Sequence, residues 1–209
     1  MVFSDATRIK FDNVNDPFRL YNPKAGLNYQ FTTKNSFYGY FGIANKEPRR
    51  DDYENGSVKP ERLFDYELGW KYNTQKVKIS ANAFYMNYKD QLVLTGALND
   101  VGSPIFTNSG KSYRVGLEVE SSIAITSKLL LHPNVTLSQN KNQDFYFPRD
   151  GVLQNLGNTD IAFSPNLVIG NRLTFLPIKD FQISFLSKFV SEQYMGNIDS
   201  EQSKLDAYF

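Results

Sequence analysis

Residues 63–72 read LFDYELGWKY, and apolar and polar side chains alternate along nearly the whole stretch. The even positions from Phe64 to Tyr72 are apolar or aromatic, and the odd positions between them are Asp65, Glu67, Gly69 and Lys71. Successive side chains of a β-strand point to opposite faces, so a period of two residues is typical of a strand with one apolar and one polar face. The stretch therefore predicts a strand that separates two different environments.

The same period recurs along the chain, whereas the spacing of an amphipathic helix does not. The other segments that follow it, some with exceptions, are residues 25–31, 37–43, 77–85, 113–125, 129–137, 167–175 and 181–189. Pro133 and Pro165 are the weakest points of the assignment, because proline cannot donate to a β-ladder. The pattern predicts an all-β, antiparallel chain of about eight strands, several of them near the length that a tilted strand needs to cross a bilayer.

The predicted connections alternate between short and long. The short ones are residues 33–35, 73–76, 126–128 and 177–180, and the long ones are residues 45–62, 95–106, 142–161 and 192–204. In an up-and-down antiparallel sheet alternate connections lie at opposite ends, so all the short turns would lie at one rim. Outer-membrane β-barrels show this asymmetry, with tight periplasmic turns and long extracellular loops.

The composition excludes several classes of protein. The chain has 209 residues with 23 basic and 22 acidic side chains, so no basic excess supports binding to nucleic acid. The absence of cysteine excludes disulfides, thiolate metal sites and cysteine nucleophiles. No apolar run is long enough for a membrane-spanning helix, and the start, MVFSDATRIK, lacks the apolar segment of a signal peptide. The chain is expected to be either cytosolic or an internal piece of a longer exported protein.

Aromatic residues make up 15% of the chain, and several lie beside the predicted short turns on the apolar face. They are Phe31, Trp70, Tyr72, Phe175 and Phe181. Such a row is typical of the aromatic girdle at a membrane interface and favours lipid on the apolar face. The alternative is that these rings belong to the core of a soluble barrel, since the period alone does not distinguish the two.

The polar face would carry nine ionisable side chains: Asp65, Glu67, Lys71, Lys78, Arg114, Glu118, Glu120, Arg172 and Lys188. Eight strands close only a narrow barrel whose interior is packed with side chains, so this many charges favours a wider lumen that is wet or plugged. We expect Lys71 and Arg114 to form an ion-pair network with the carboxylates. A glycosidase-like carboxylate pair is the weaker interpretation.

Enzymatic chemistry is not expected. The chain has one histidine, His132, which lies in a predicted strand without a second metal ligand at a suitable spacing. No nucleophile motif accompanies it. We therefore expect His132 to be structural, and we expect no catalytic residue, no metal site and no cofactor.

The stretches KPERLFDYELGWKY, residues 59–72, and TNSGKSYRVGLEVE, residues 107–120, resemble motifs of TonB-dependent outer-membrane receptors. In the first stretch the matching residues are Pro60, Glu61, Tyr66, Glu67, Leu68 and Gly69. In the second they are Asn108, Gly110, Arg114, Gly116, Glu118 and Glu120. The stretches NPKAGLNYQF, FGIANKEPRRDDY, DIAFSPNLVIGNRLTF and SKFVSEQYMGN are similar as well, in the same order. The chain most resembles the iron-complex or siderophore type found in Bacteroidetes-like bacteria.

The resemblance implies a barrel of about 22 strands in the outer membrane, with an N-terminal plug domain in its lumen. Residues 1–209 would be the C-terminal part of that barrel, a transmembrane segment of about eight strands without the plug domain, and would not transport alone. The motif residues would be structural. The implied partners are outer-membrane lipid, a metal chelate such as a ferric siderophore, the inner-membrane TonB complex that supplies energy, and the receptor's own plug domain.

The long connections are the expected ligand-binding surface. Arginine and aromatic side chains suit an anionic, ring-bearing ligand such as a ferric chelate, and those present are Arg49, Arg50, Tyr53, Phe145, Tyr146 and Arg149. For any single residue a simpler interpretation, such as an ion pair within residues 49–52, is preferred. The absence of histidine from the long connections disfavours haem, but the sequence does not distinguish siderophore, haem, cobalamin and glycan.

Two other functions stay open at this point. One is a soluble up-and-down barrel that binds an apolar small molecule, and the other is a complete small outer-membrane barrel that acts as an anchor or adhesin. Apolar faces that converge on a closed core would support the soluble barrel. An open sheet with unpaired edges would support a segment of a larger receptor.

Overall fold

The computed structural model describes residues 18–49, 52–53, 59–98, 102, 104–108, 110–149 and 152–209. The strands in these residues are β1 Lys24–Gln30, β2 Asn35–Lys46, β3 Glu61–Asn73, β4 Val77–Lys89, β5 Leu92–Leu98, β6 Pro104–Asn108, β7 Lys111–Thr126, β8 Leu129–Gln143, β9 Tyr146–Arg149, β10 Val152–Asn155, β11 Thr159–Asp160, β12 Leu167–Phe175, β13 Ile183–Val190, β14 Gln193–Tyr194 and β15 Lys204–Leu205. A 3₁₀ turn, Glu201–Ser203, precedes β15. The described part of the chain contains no helix with the length and apolar character needed to span a membrane.

Eight of these strands form one antiparallel sheet in the order β1-β2-β3-β4-β7-β8-β12-β13. Each strand pairs with the next long strand along the chain, which confirms the predicted all-β, up-and-down architecture. The short strand β11 also pairs with β8, while β5–β6, β9–β10 and β14–β15 form separate two-stranded sheets. In the described residues β1 and β13 do not pair with each other, so the sheet is open.

The connections differ in length at the two ends of the sheet, as predicted. The short ones are residues 31–34, 74–76, 127–128 and 176–182, and the long ones between sheet strands are residues 47–60, 90–110 and 144–166. We call these ends the short-turn rim and the long-connection end. Two of the long connections contain hairpins that the alternation did not predict, β5–β6 and β9–β10.

Several strands also run farther toward the long-connection end than the alternation predicts. β2 ends at Lys46, β4 at Lys89 and β8 at Gln143, whereas the alternating segments end at residues 43, 85 and 137. A β-ladder is held by backbone hydrogen bonds, so it continues beyond the last apolar side chain. Most of the extra residues are polar, and they extend the sheet past its apolar zone.

Pro133 lies inside β8 and interrupts the ladder to β7 there. Glu120 pairs with Asn134, and the next pair joins Ile123 to Leu131. Because proline has no amide hydrogen, a break at this position is expected. Pro165 lies outside the strands, two residues before the start of β12, where it removes no ladder bond.

Cross-strand pairing aligns the apolar side chains on one face of the sheet. One such row, given strand by strand from β2, is Phe37, Trp70, Ala81, Val119, Val135, Ile169 and Phe189. The face is exposed: Leu27 is 76% accessible, Leu68 71% and Phe185 65%. A large apolar side chain gains about 1.5–3 kcal/mol on leaving water, so a face of this kind is stable only against an apolar medium.

The buried apolar side chains do not form a core under this face. They are Tyr88, Leu92, Phe145, Ile161 and Val190, all of them near the long-connection end. The described residues thus contain no closed core into which the apolar faces converge. The soluble-barrel interpretation of the aromatic residues is therefore wrong, and the exposed apolar face is the one expected to meet lipid.

Candidate functional site

Residues of the two receptor-like motifs meet at the long-connection end. The Asn108 side chain accepts a hydrogen bond from the Lys59 amide at 2.8 Å and donates to the carbonyl oxygens of Lys59 and Asp90 at 3.0 and 2.6 Å. Nearby, the Leu92 amide donates to Glu61 Oε2 at 2.9 Å. These bonds join the segment before β3 to the start and end of the β5–β6 hairpin.

A tight turn at Asp90 and Gly110 lies beside these bonds. We call the turn and the bonds of Asn108 and Glu61 together the clamp. Gly110 has a φ of +86° and Asp90 a φ of +54°, and the Asp90 amide donates to the Gly110 carbonyl at 2.5 Å. Positive φ values suit glycine best, and aspartate tolerates them better than most residues. Glycine at position 110 therefore allows β6 to return directly into β7.

Two motif glycines lie beneath aromatic rings on the polar face. The ring of Tyr38 covers Gly69, its cross-strand partner, so closely that a Cβ at this position would overlap the ring. A Cβ at Gly116 would lie 2.5 Å from both the Phe84 ring and the Leu137 carbonyl oxygen. The absence of a side chain at these positions allows large rings to lie flat on the wall of the sheet.

The remaining motif residues lie within the sheet strands. Tyr66 and Glu67 lie on opposite faces of β3, and Glu118 and Glu120 lie on the polar face of β7. Pro60 precedes β3 directly. The clamp and the covered glycines support a structural role for Glu61, Asn108, Gly69 and Gly116. For the other motif residues the structural role stays a prediction.

The predicted ion-pair network on the polar face is wrong. Among the described residues, the ion pairs are Lys141–Asp160 at 2.8 Å and Lys204–Glu192 at 2.9 Å. The first lies on the opposite face of β8, and the second joins the small β14–β15 sheet to the end of β13. Neither involves a charge on the polar face of the main sheet.

The register of the sheet explains this difference. Lys71 lies opposite Ser36 and Ser80 on the neighbouring strands, and Arg114 lies opposite Met86 and Asn140. No carboxylate is directly across from either cation.

The charges on the polar face have other partners. Arg114 Nη1 donates to the Tyr88 hydroxyl at 3.1 Å, and its guanidinium carbon lies 5.0 Å from the centre of that ring. The Lys71 ammonium lies 5.4 Å from the centre of the Tyr38 ring. Cations are attracted to the negative face of an aromatic ring, which accounts for both placements.

The carboxylates of β3 are only partly satisfied. Glu67 accepts one hydrogen bond, from Asn82 Nδ2 at 3.3 Å. Asp65 Oδ1 is buried without a hydrogen-bond partner among the described residues. A half-buried carboxylate in this state favours a cation or a hydrogen-bond donor from another segment.

Charge is separated along the strands of the polar face. Toward the short-turn rim, a concavity of about 730 Å³ is lined by His132 and by four charged residues of the sheet: Lys71, Lys78, Glu120 and Arg172. Toward the long-connection end the face carries Asp65, Glu67 and Glu118 in successive pairing rows. The polar face is therefore mainly basic toward the short-turn rim and mainly acidic toward the long-connection end.

His132 lies on the polar face of β8 and lines this concavity. The described residues contain no group of three or more histidine, aspartate or glutamate side chains arranged to hold a metal ion. Its pairing partner on β12 is the cation Arg172. A cation beside the ring is unfavourable for a bound metal ion.

The predicted ligand-binding residues are distributed over two long connections. In the β2–β3 connection Arg49 is exposed and Tyr53 half-buried, while Asp52 is 3% accessible. The Asp52 carboxylate accepts the Arg49 amide at 2.7 Å, and the Asp52 amide donates to the Arg49 carbonyl at 3.1 Å. The tight turn holds Arg49 at the surface, and Arg50 lies outside the described residues.

In the β8–β12 connection the candidates differ in exposure. Tyr146 is 56% accessible, whereas Phe145 is 5% accessible and is held by backbone hydrogen bonds to Leu156 and Gly157 at 2.8 Å each. Arg149 belongs to β9, but its side chain lies outside the described part. Ligand binding by the six residues stays a prediction, for which the structure offers the exposed surfaces of Arg49 and Tyr146.

The alternation did not identify a buried polar network at the same end. Asn142 is fully buried, and its Nδ2 donates to Thr159 Oγ1 at 3.2 Å and to Asn197 Oδ1 at 3.4 Å. Asn197 Oδ1 also accepts the Ala162 amide at 3.0 Å. The network fastens the segment that follows β13 to the end of β8. Its sequence signal, asparagines beyond the apolar zone, is too common to single out.

Comparison with known proteins places this fold in a family. Residues 3–209 match the family described as TonB dependent receptor-like, β-barrel. Over 61 residues the chain is 36% identical to the pesticin receptor of Yersinia enterocolitica serotype O:8, a match that covers 29% of this chain and 9% of that protein.

Solved structures share the fold, among them two bacterial receptors. The ferric-catecholate import receptor Fiu of E. coli K12 superposes with a TM-score of 0.65 at 15% identity, covering 90% of this chain and 27% of that one. The ferric yersiniabactin uptake receptor FyuA of Yersinia pestis gives a TM-score of 0.64 at 17% identity, covering 88% and 28%. The chain thus spans less than a third of the length of the relatives it matches.

The family match covers nearly the whole chain, and it agrees with the open up-and-down sheet, its exposed apolar face and its charged opposite face. Members of this family are receptors of the outer membrane and are transporters, not enzymes. The chain belongs to the family of TonB-dependent receptor β-barrels.

Proposed function

We propose that this chain forms part of an outer-membrane transporter that binds a metal chelate, a ferric siderophore, and imports it with energy from an inner-membrane TonB complex. The observation that carries the proposal is the family match over residues 3–209. The names of Fiu and FyuA describe import of ferric chelates by those proteins and support the same ligand class here.

The sheet is one segment of a larger barrel in this proposal. Its edges β1 and β13 do not pair with each other among the described residues, and the polar face holds charges that a narrow eight-stranded lumen would crowd. Additional strands would close the barrel, with the apolar face against outer-membrane lipid. The segment alone would not transport. A complete small barrel that serves as an anchor or adhesin is less well supported, because the open edges would be exposed.

The polar face would line the lumen and receive the receptor's plug domain. The incompletely satisfied carboxylates Asp65 and Glu67 suit basic or amide donors from that domain, and the basic zone around Lys71 and Lys78 suits acidic ones. Such complementary charges fix the orientation of two surfaces. The energy-coupling contact with the TonB complex would lie on the part of the receptor beyond this chain.

The ligand would bind at the long-connection end, outside the cell. Arg49 and Tyr146 are exposed there, and the predicted candidates Arg50, Tyr53 and Arg149 lie on the same two connections. Arginine pairs with anionic oxygen atoms, and a tyrosine ring stacks on a planar chelating group. Phe145 would support the connection from within, because its side chain is buried.

Growth of a receptor deletion strain on defined iron sources tests this proposal most directly. Complementation with the complete receptor should restore growth on at least one ferric siderophore, and loss of TonB or dissipation of the proton-motive force should abolish it. Receptor-dependent growth on haem, cobalamin or a glycan, with none on any ferric siderophore, would contradict the assigned ligand.

Binding measurements on the purified complete receptor then test the surface. The double variant Arg49→Gln/Tyr146→Ala should weaken ferric-chelate binding by about tenfold or more, since a charge-assisted bond and a stacking contact are each worth about 1 kcal/mol. The matched control is Lys179→Gln/Phe181→Ala at the short-turn rim, where both residues are exposed. Equal effects of the two double variants would exclude the proposed ligand surface.

A further inference from the structure

A row of three cations crosses adjacent strands on the apolar side of the sheet. Beyond the apolar zone, toward the long-connection end, direct pairing aligns Arg62 of β3 with Lys89 of β4, and Lys89 with Lys111 of β7. The row is continued by neutral residues, Asn45 on β2 and Gln143 on β8. No acidic side chain belongs to it.

All three cations are exposed on the outward face. Side chains two or four residues apart in a strand share a face, so the three cations lie on the same side as Phe64, Tyr85 and Tyr113. The Lys89 ammonium lies 5.3 Å from the centre of the Phe64 ring, which confirms its outward direction. This cationic row therefore faces the surroundings of the barrel and not its lumen.

The cations have no anionic partner among the described residues. Arg62 Nε donates to Asn45 Oδ1 at 2.9 Å, a neutral acceptor. By contrast, Lys141, one pairing row nearer the apolar zone on β8, is neutralised by Asp160 at 2.8 Å. The sheet thus neutralises the isolated outward lysine but leaves the row of three charged.

This arrangement is unfavourable for the isolated sheet. Residues directly opposite each other on antiparallel strands have Cα atoms about 4.5–5.5 Å apart, and like charges in such pairs are destabilising. Two of these pairs follow one another along the row. An anion bound across the three side chains would remove the repulsion and gain charge-assisted hydrogen bonds.

The surface next to the cationic row is apolar and aromatic. The rings of Phe41, Tyr66, Tyr85 and Tyr113 form a ladder across four adjacent strands, with ring centres 5.0, 6.2 and 6.4 Å apart. On the side of the ladder nearer the short-turn rim, the exposed Leu68 and Leu117 continue the apolar zone. An anion at the row that is joined to long apolar chains would satisfy both surfaces together.

We propose that Arg62, Lys89 and Lys111 bind the phosphate groups of an outer-leaflet lipid, with its acyl chains on the apolar zone beneath them. Gln143 would donate a further hydrogen bond at one end of the row, and at the other end Asn45 holds Arg62 in place by accepting from its Nε. The inference rests on the proposed function in one respect, the orientation that puts the long connections outside the cell. It commits to a lipid and not to free phosphate, because free phosphate would leave the aromatic ladder without an occupant.

Lipid retention by the complete receptor in detergent tests the proposal. Native mass spectrometry would titrate bisphosphorylated lipid A, its dephosphorylated form and phosphatidylcholine. Each basic side chain near an anionic lipid surface contributes a factor of about five, so Arg62→Gln/Lys89→Gln/Lys111→Gln should weaken binding of bisphosphorylated lipid A by about 100-fold. The dephosphorylated lipid should bind weakly to the unmodified receptor, and the variant should not weaken it further.

The matched control removes three exposed lysines from the short-turn rim, Lys34→Gln/Lys76→Gln/Lys179→Gln, and should keep lipid A affinity within about twofold. The charge-preserving variant Arg62→Lys/Lys89→Arg/Lys111→Arg should also retain binding. Unchanged affinity in the first triple variant, or an equal loss in the control, would overturn the proposal. Complete displacement of lipid A by excess inorganic phosphate would overturn the commitment to a lipid.

Ferric-chelate binding measured on the same preparations separates this inference from the proposed function. Loss of lipid retention with intact chelate binding in the triple variant supports the lipid site. A receptor that binds no ferric chelate but retains lipid A through the cationic row would refute the proposed ligand and leave the lipid site established.

Discussion

Asn108 and Lys59 are 49 residues apart in the chain and exchange two hydrogen bonds, the Lys59 amide to Asn108 Oδ1 at 2.8 Å and Asn108 Nδ2 to the Lys59 carbonyl at 3.0 Å. The side-chain amide thus pairs with the backbone of residue 59 as a neighbouring strand would. This arrangement connects one long connection of the receptor to the next, immediately beyond the sheet.

Replacement of Asn108 by aspartate should loosen this end of the sheet. The variant keeps an acceptor for the Lys59 amide but loses both donations, to the carbonyl oxygens of Lys59 and Asp90, and places a negative charge beside them. Each unsatisfied polar group costs about 1–3 kcal/mol, so local opening should become at least about tenfold more frequent. Hydrogen exchange of the Lys59 and Asp90 amides measures this change.

The control for this variant is Asn73→Asp at the short-turn rim, where the asparagine is exposed. It introduces the same charge without removing a side-chain bridge between connections, so exchange at Lys59 and Asp90 should stay unchanged. Equal exchange rates in both variants would show that the Asn108 bridge does not hold the connection.

The sheet itself follows from alternation, because a period of two residues determines which side chains share a face. LFDYELGWKY and its counterparts therefore predict the strands, the apolar face and the alternating connections. The alternation does not determine the register of neighbouring strands. The predicted ion pairs of Lys71 and Arg114 were wrong for this reason, since pairing brings serine, methionine and asparagine opposite them.

The clamp and the buried network could not be predicted from the sequence, because they too depend on how the strands pair. Asn108 meets Lys59, and Asn142 meets Asn197, only after strands distant in the chain have paired. Both contacts involve polar side chains beyond the alternating apolar segments, where hydrophobic period carries no information. The hairpin β5–β6 likewise falls within a connection predicted from the alternation, although its backbone pairs.

Asn142 should be required to hold the segment after β13 in place. Its side chain is fully buried and donates to Thr159 and Asn197, so Asn142→Leu removes both donations and leaves the two oxygen atoms without this partner. A cost of about 1–3 kcal/mol should make the segment more sensitive to proteolysis. Limited proteolysis with peptide mapping of residues 191–203 measures the effect.

Asn166→Leu provides a comparison for this substitution, because Asn166 is an exposed asparagine in the connection between β8 and β12. Cleavage within residues 191–203 should be unaffected in that variant. A proteolysis pattern that is identical in the Asn142 variant and the unmodified receptor would show that the segment is held by other contacts.

The Lys204–Glu192 ion pair should respond to alkaline pH. The hydrogen bond to Glu192 raises the pKa of the Lys204 ammonium above its usual value, with a smaller opposing effect of desolvation and further increases from the charges of Glu192, Glu201 and Tyr194. A group whose pKa is raised in the folded state stabilises that state at lower pH and loses the effect as pH rises through the folded pKa. The β14–β15 pairing should therefore be insensitive to pH near neutrality and weaken only above the usual lysine range.

A ¹³Cε titration of Lys204 by NMR tests this assignment. Glu192→Gln should lower the titration midpoint, and high salt should lower it in the unmodified receptor, because the Glu192 carboxylate is exposed and salt screens its charge. A midpoint that does not move in Glu192→Gln would rule out Glu192 as the cause of the raised pKa.

Gly69 should tolerate no side chain, although a neighbouring glycine on the same sheet does. A Cβ at position 69 would overlap the Tyr38 ring, whereas a Cβ at Gly39 on β2 would meet Leu68 Cδ2 at 3.5 Å, an ordinary contact. Overpacking costs about 1–3 kcal/mol, so Gly69→Ala should lower the urea midpoint for unfolding of the complete receptor and Gly39→Ala should leave it nearly unchanged. The double variant Gly69→Ala/Tyr38→Ala should lose less stability than the sum of its two single variants, because the added methyl group then fills space that the ring has vacated. Additive losses in this cycle would show that the ring does not restrict position 69.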